Sequence, residues 1–208
     1  MAGPALIDTH LRREKMGNST EDLKAAAQYP EGDIVRLLLE QHARIRTLFA
    51  DIRGAGGREE VADLFAELRM LLVVHETAEQ IVVRPVTKEL AGEDVTKALI
   101  AEEAEATRTL AALEKLDPMT PEFDAELGTL ESAVTHHAEE EEHQEFPALV
   151  NGCTTDKRQH MGTAFQAAAA IAPTHPHPEV AGKFAATMLT LPVASIIDRT
   201  KDAIKKAS

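Results

Sequence analysis

Three histidines and two glutamates stand where a helical core calls for leucine or valine: His42, His75, Glu79, His137 and Glu141. Each continues an apolar stripe with steps of three and four residues. The stripes read Val35, Leu38, His42, Ile45, Phe49, Ile52; then Val61, Phe65, Leu68, Leu72, His75, Glu79, Val82; then Phe123, Leu127, Leu130, Val134, His137, Glu141. His75 and Glu79, like His137 and Glu141, are i,i+4 pairs on one helical face. An ionised carboxylate on a core-facing stripe is costly unless it is paired or bound to a metal. Imidazoles and carboxylates from several helices form a mixed N/O donor set suited to iron, manganese or zinc. No thiolate joins them, and an oxygen-seeking cation such as calcium would not select histidine. Two carboxylates on facing helices can also bridge a pair of metals.

Four helices have to position these side chains. Ala/Leu/Glu-rich segments dominate and alternating strand patterns are nearly absent, so the chain is read as all-α. The first long helix is expected from about Asp33 to Ile52, stopped by Gly54-Ala55-Gly56-Gly57. The second runs from about Glu59 to Val83 and ends near Pro85; the third spans about Asp94 to Leu116. Thr120-Pro121 is an N-cap with proline at N1, opening a fourth helix that reaches about Pro147 or Leu149. Joined by short loops, these make an antiparallel up-down-up-down four-helix bundle over residues 31–150. Residues 1–30 form a polar N-terminal arm with a partial helix around Thr20 to Gln28. Residues 151–208 form a C-terminal helical extension packed on the bundle, beginning with a fifth helix from about Thr155 to Ile171. The stretch 184–197 is uncharged, too short for a bilayer and interrupted by Pro192. It reads either as a helix over the bundle or as a contact between copies, leaving monomer or homodimer open.

The second and fourth helices look like repeats. His75 and His137 each precede a proline by ten residues, at Pro85 and Pro147. His42 lies 33 residues before His75, so a duplicated hairpin predicts a histidine at position 104, which is Ala104. Of the other histidines, His136 and His143 turn away from the stripe, while His10, His160, His175 and His177 lie outside the bundle. The run Glu139 to Glu142 reads as a solvated acidic face apart from Glu141, and Cys153 as a bystander thiol.

Composition narrows the partners. With 35 acidic and 22 basic side chains the formal charge is −13, which argues against nucleic acid or an anionic membrane surface. One cysteine excludes an internal disulfide. The N-terminal residues contain no apolar run of signal-peptide length, which points to a cytoplasmic protein.

Taken together, the residues resemble the hemerythrin-like (HHE cation-binding) proteins. The likeness is carried by Gln41-His42 with Leu48-Phe49, by His75 to Glu79 with Pro85, and by His137-Ala138-Glu139-Glu140-Glu141 with Phe146-Pro147. It continues through Ala172-Pro173-Thr174-His175-Pro176-His177-Pro178 and Asp198-Arg199-Thr200-Lys201-Asp202, which look like the tail of bacterial, especially actinobacterial, members. It covers about residues 31–205. The resemblance implies a non-haem di-iron centre bridged by oxo or hydroxo and two carboxylates. His42 and His75 would hold one iron and His137 the other, with Glu79 and Glu141 bridging. The family takes a further histidine from helix three, where this chain has Ala104, so one iron or two is left open. Glu103, on a stripe Ile100, Glu103, Thr107, Leu110, is a candidate substitute, as is Glu76. The implied ligands are O2, hydrogen peroxide or nitric oxide. Implied roles are oxygen binding, oxidative-stress chemistry such as catalase-like turnover, metal-dependent sensing, or a degenerate site with one metal or none.

Overall fold

Asp33 starts the first long helix. Its carboxylate accepts the Val35 N–H at 3.0 Å, and the chain stays helical from Ile34 to Gly54 (α2). A short helix over residues 19–26 (α1) precedes it. The computed structural model describes residues 19–176 and 178, so the expectations for residues 1–18, His177 and the stretch 184–197 lie outside the described residues. α3 spans Arg58–Val82 and α5 spans Glu93–Leu113, entered through Gly92, whose φ of 98° favours glycine. Thr120 caps α6 (Pro121–Glu140) as its sequence motif predicts, with Pro121 in the first turn. Thr154 likewise caps α8 (Thr155–Ala169).

Two prolines interrupt the ladders near the candidate ligands. Pro85 supplies no N–H, and the second long helix breaks at Val83 before a short α4 (Arg84–Leu90). Pro147 removes another donor, and just before it the fourth helix widens into a π-helical turn, Glu141–Glu145. There the Phe146 N–H reaches the Glu141 carbonyl, five residues back. α7 (Phe146–Gly152) completes that helix, a few residues beyond the expected end.

The four long helices close a ring. α2 packs on α3, α3 on α5, α5 on α6, and α6 back on α2, which with short connections makes an up-down-up-down bundle. No strand occurs among the described residues. α8 packs against α2 and α3. The inward face of α5 differs in part from its expected stripe. Leu99, Glu103, Ala106 and Leu110 are buried, whereas Ile100 and Thr107 are half-buried at its flanks.

The apolar interior is divided. One cluster joins Ile45, Phe49, Leu68, Leu72, Leu110, Leu127 and Leu130 near the α2–α3 loop. The other joins Val35, Leu38, Ile81, Phe146, Leu149 and Phe165 near α1 and α8. On α2, α3 and the fourth helix, His42, His75 and His137 fall between the residues of the two clusters, so a polar layer lies between two oily ones.

Gly162 tests how tightly α8 docks. A Cβ built there would lie 2.0 Å from the Gly32 carbonyl oxygen, on rigid backbone. Gly→Ala within a helix normally stabilises by about 1 kcal/mol. Gly162→Ala is instead expected to destabilise the protein by about 1–3 kcal/mol, because the clash forces helix and turn apart. Chemical denaturation followed by circular dichroism reads the sign.

Candidate metal centre

The three stripe histidines share one arrangement. His42 Nδ1 donates to Glu142 Oε1 at 2.8 Å, His75 Nδ1 to Gln41 Oε1 at 2.7 Å, and His137 Nδ1 to Glu102 Oε2 at 2.9 Å. Glu102 and Glu142 offer only acceptor oxygens and Gln41 turns its Oε1 to the ring, so Nδ1 carries the proton and a neutral ring turns the Nε2 lone pair inward. There Nε2 of His75 lies 3.3 Å from Glu79, and Nε2 of His137 lies 3.0 Å from Glu141. Nε2 of His42 lies 3.2 Å from Glu141 Oε2, yet the two are not aligned as a hydrogen bond. His42 Nε2, Glu141 Oε2 and Glu79 Oε1 are buried and have no hydrogen-bond partner among the described residues. Buried polar atoms left without a partner call for an explanation, and a cation supplies one.

The sequence-predicted residues fall into two groups whose donor atoms lie within 4.8 Å of one another. One is His42, His75 and Glu141; the other is Glu79, Glu103, His137 and Glu141. Glu141 belongs to both. Its Oε2 faces His42 while its Oε1 faces His137. Glu103 is thus brought into the site, buried to 1% exposure. Ala104 is half-buried beside it, so α5 presents position 103 to the layer rather than the position that the repeat counts out. Glu76 joins neither group. It accepts from the Thr107 hydroxyl at 3.2 Å and lines a neighbouring cavity.

Several residues of the site carry no signal in the stripes. Arg84 is 1% exposed and stands inside the second group. Its Nη2 contacts Glu103 and Glu141 and lies 3.4 Å from both Glu79 Oε2 and His137 Nε2. Its Nη1 holds Glu145, which also accepts from Thr87. Glu145 continues the four-residue step His137, Glu141, and that step is the one clue the sequence offered. Glu142 corrects the expectation of a solvated acidic face. It is half-buried, bridging His42 to Arg46, which in turn pairs with Asp22 of α1. His136 is exposed as expected, and His175 lies at the surface with Glu114. Cys153 is a buried free thiol.

The charges are set by this packing. Burial, reinforced by His42, pushes the His75 pKa down to about 3, so it stays neutral. Burial alone would raise Glu141, but His137 and Arg84 pull it well below the usual range. Burial, with Glu141 adding repulsion, pushes Glu79 well above it. Glu76 rises to about 8, chiefly through burial and then through Glu103. Burial opposes a charge on the other two rings, but Glu141 and Glu142 raise His42, and Glu141 and Glu102 raise His137 well above the usual imidazole range. A transition metal takes the neutral imidazole and the carboxylate, so an ion bound here would displace those protons. The donor set and its orphaned atoms therefore fit a cation at His42, His75 and Glu141.

Comparison with known proteins agrees with this chemistry. The Hemerythrin HHE cation binding domain matches residues 33–149. A Nostoc protein named DNA nickase is 26% identical over 136 residues, 65% of this chain, and the match spans only 38% of that protein's length. An uncharacterized hemerythrin-like protein of Schizosaccharomyces pombe is 23% identical over 81% of this chain and 85% of its own. The crystal structure of a hemerythrin HHE cation binding domain-containing protein from Mycobacterium kansasii shares the fold. Its TM-score is 0.57 at 23% identity, covering 78% of this chain and 95% of that one.

The outer hydrogen bonds can be probed directly. Removing a partner that orients a metal-binding histidine typically costs 10–100-fold in affinity. Glu142→Ala is expected to weaken metal binding by about that factor, with helix content unchanged. Glu139→Ala, an exposed neighbour, is the control and leaves affinity as it was. Competition titration against a chromophoric chelator measures both.

Proposed function

This chain belongs to the hemerythrin HHE cation-binding family, and we propose that it is a non-haem iron protein that handles O2, hydrogen peroxide or nitric oxide in the bundle core. The observation that carries this is the common posture of His42, His75 and His137, each with Nδ1 anchored outward and Nε2 aimed at shared carboxylates. Zinc and manganese suit the same donors but differ from iron in redox behaviour or availability. Iron bound there would supply a redox-active Lewis acid with positions open to a small ligand.

The residues around the centre do the selecting. A cavity of about 20 Å³ adjoins it, lined by His42, Phe49, Leu72, His75, Glu76 and Val134 among others. That space suits a water or a diatomic molecule and excludes an organic substrate. Leu72, Ala106 and Val134 make its lining largely apolar, so a charged ligand gains little by entering while an uncharged gas loses little. Glu102, Gln41 and Glu142 hold the rings in one tautomer and one orientation, which fixes the donor atoms before any ion arrives.

Metal content and the ultraviolet-visible spectrum of protein from iron-supplemented cells test the proposal. Iron should copurify, and its absorption should change on adding O2, peroxide or nitric oxide. His75→Ala should lose most of the iron, since it removes one of the three donors of the first group. Protein that carries only zinc, or a spectrum indifferent to all three ligands, would sink the assignment. Oxygen evolution from peroxide would place turnover ahead of sensing.

A further inference from the structure

We propose that the Arg84 guanidinium is the second cation of this centre, built into the chain, so that the bundle holds one metal ion, at His42, His75 and Glu141. The inference rests on the metal reading given above. It concerns how many ions that site takes, and it names the residue that decides the number.

Geometry comes first. The second donor group is Glu79, Glu103, His137 and Glu141, and the Arg84 Nη2 atom lies within 3.4 Å of a donor atom of every member. One nitrogen thus sits against all four side chains that would otherwise bind an ion: its two hydrogens are taken by Glu103 and Glu141, the shortest contacts, and its charge faces Glu79 and His137. Glu141 makes the exchange explicit. One of its oxygens faces His42 of the first group while the other is held by Arg84. A carboxylate that could join two metals here joins one metal position to a guanidinium.

Arginine suits the role for chemical reasons. It stays protonated at any accessible pH, and its planar fork can serve several carboxylates at once. Lysine in such a place could lose its proton on burial; arginine could not. The side chain is also locked from behind. Nε donates to Glu103 Oε1 at 2.8 Å, Nη1 holds Glu145, and Glu145 is tied to Thr87. Gln80 donates to the other Glu103 oxygen. For a second ion to enter, Arg84 would have to give up contacts with four carboxylates and leave a site where it is 1% exposed. Removing one partner of a buried ion network is among the costlier changes a core can undergo.

Charge points the same way. Glu79, Glu103, Glu141 and Glu145 put four carboxylates in one layer against a single arginine. Every member of the second donor group is within reach of that arginine, whereas His42 Nε2 and Glu141 Oε2 of the first group have no hydrogen-bond partner among the described residues, so one donor set is free and the other is taken. Ala104 then needs no replacement ligand, because the position it would serve already has its cation.

The test is a count. Anaerobic protein is titrated with Fe(II), and in a parallel series with Zn(II), desalted, and analysed for metal per chain. After oxidation, electron paramagnetic resonance separates an isolated high-spin ferric ion from a coupled pair. Wild type should hold one ion and show the isolated signal. Arg84→Met should hold two with that signal lost, and Arg84→Met combined with Glu103→Gln should return to one. Two ions in wild type, or one in Arg84→Met, would overturn the proposal. Should Arg84→Met prove insoluble, the wild-type count decides alone. No ion at all in wild type would instead overturn the metal reading beneath it.

Discussion

Burying negative charge is the constraint on which this bundle turns. Glu79, Glu103, Glu141 and Glu145 are at most 1% exposed and share one layer of the interior. An unpaired carboxylate in such surroundings is too costly to keep, so positive charge has to be brought to the layer. Arg84 brings part of it, and the inward-facing Nε2 atoms of the histidines leave room for a cation to bring the rest. The two apolar clusters on either side supply the hydrophobic stabilisation that keeps the layer in place.

The surroundings of the histidines follow from the same need. A ligand ring that could rotate or swap tautomers would offer its lone pair only part of the time. Gln41, Glu102 and Glu142 each remove that freedom for one ring. Glu142 is tied onward to Arg46, and Arg46 to Asp22. Through that chain the short helix α1 is coupled to the orientation of His42. The breaks at Val83 and Glu141–Glu145 belong to the same design. The first lies one turn beyond His75 and Glu79 and the second begins at Glu141 itself, where Pro85 and Pro147 withhold backbone donors and the helices can depart from regular spacing.

Much of this was legible without coordinates. The five intruders on three stripes and the cap at Thr120 follow from helical periodicity and from hydrogen-bonding rules that act over a few residues. The all-α bundle follows from the same source. Glu103 was legible as a candidate because it sits on a three-four step in α5. Ile100 was read inward in error. One residue of helical rotation separates Ile100 from Leu99, and α5 is too rich in alanine for periodicity alone to choose between them.

What the chain by itself determined, then, is which faces turn inward and which atoms on them could bind a cation. That information is local, since a face is defined by 3.6 residues per turn wherever the helix packs. Only the tertiary structure decided that Glu142 lies 2.8 Å from His42 across a gap of 100 residues. It alone decided that Glu103 and Glu145 meet the same arginine. Arg84 stands just past a broken helix and off any stripe, so no periodicity marks it. Its place is set by the length of its side chain and by the buried carboxylates that attract it. Long-range charge pairing has no period in sequence, and for that reason it was invisible until the helices were assembled.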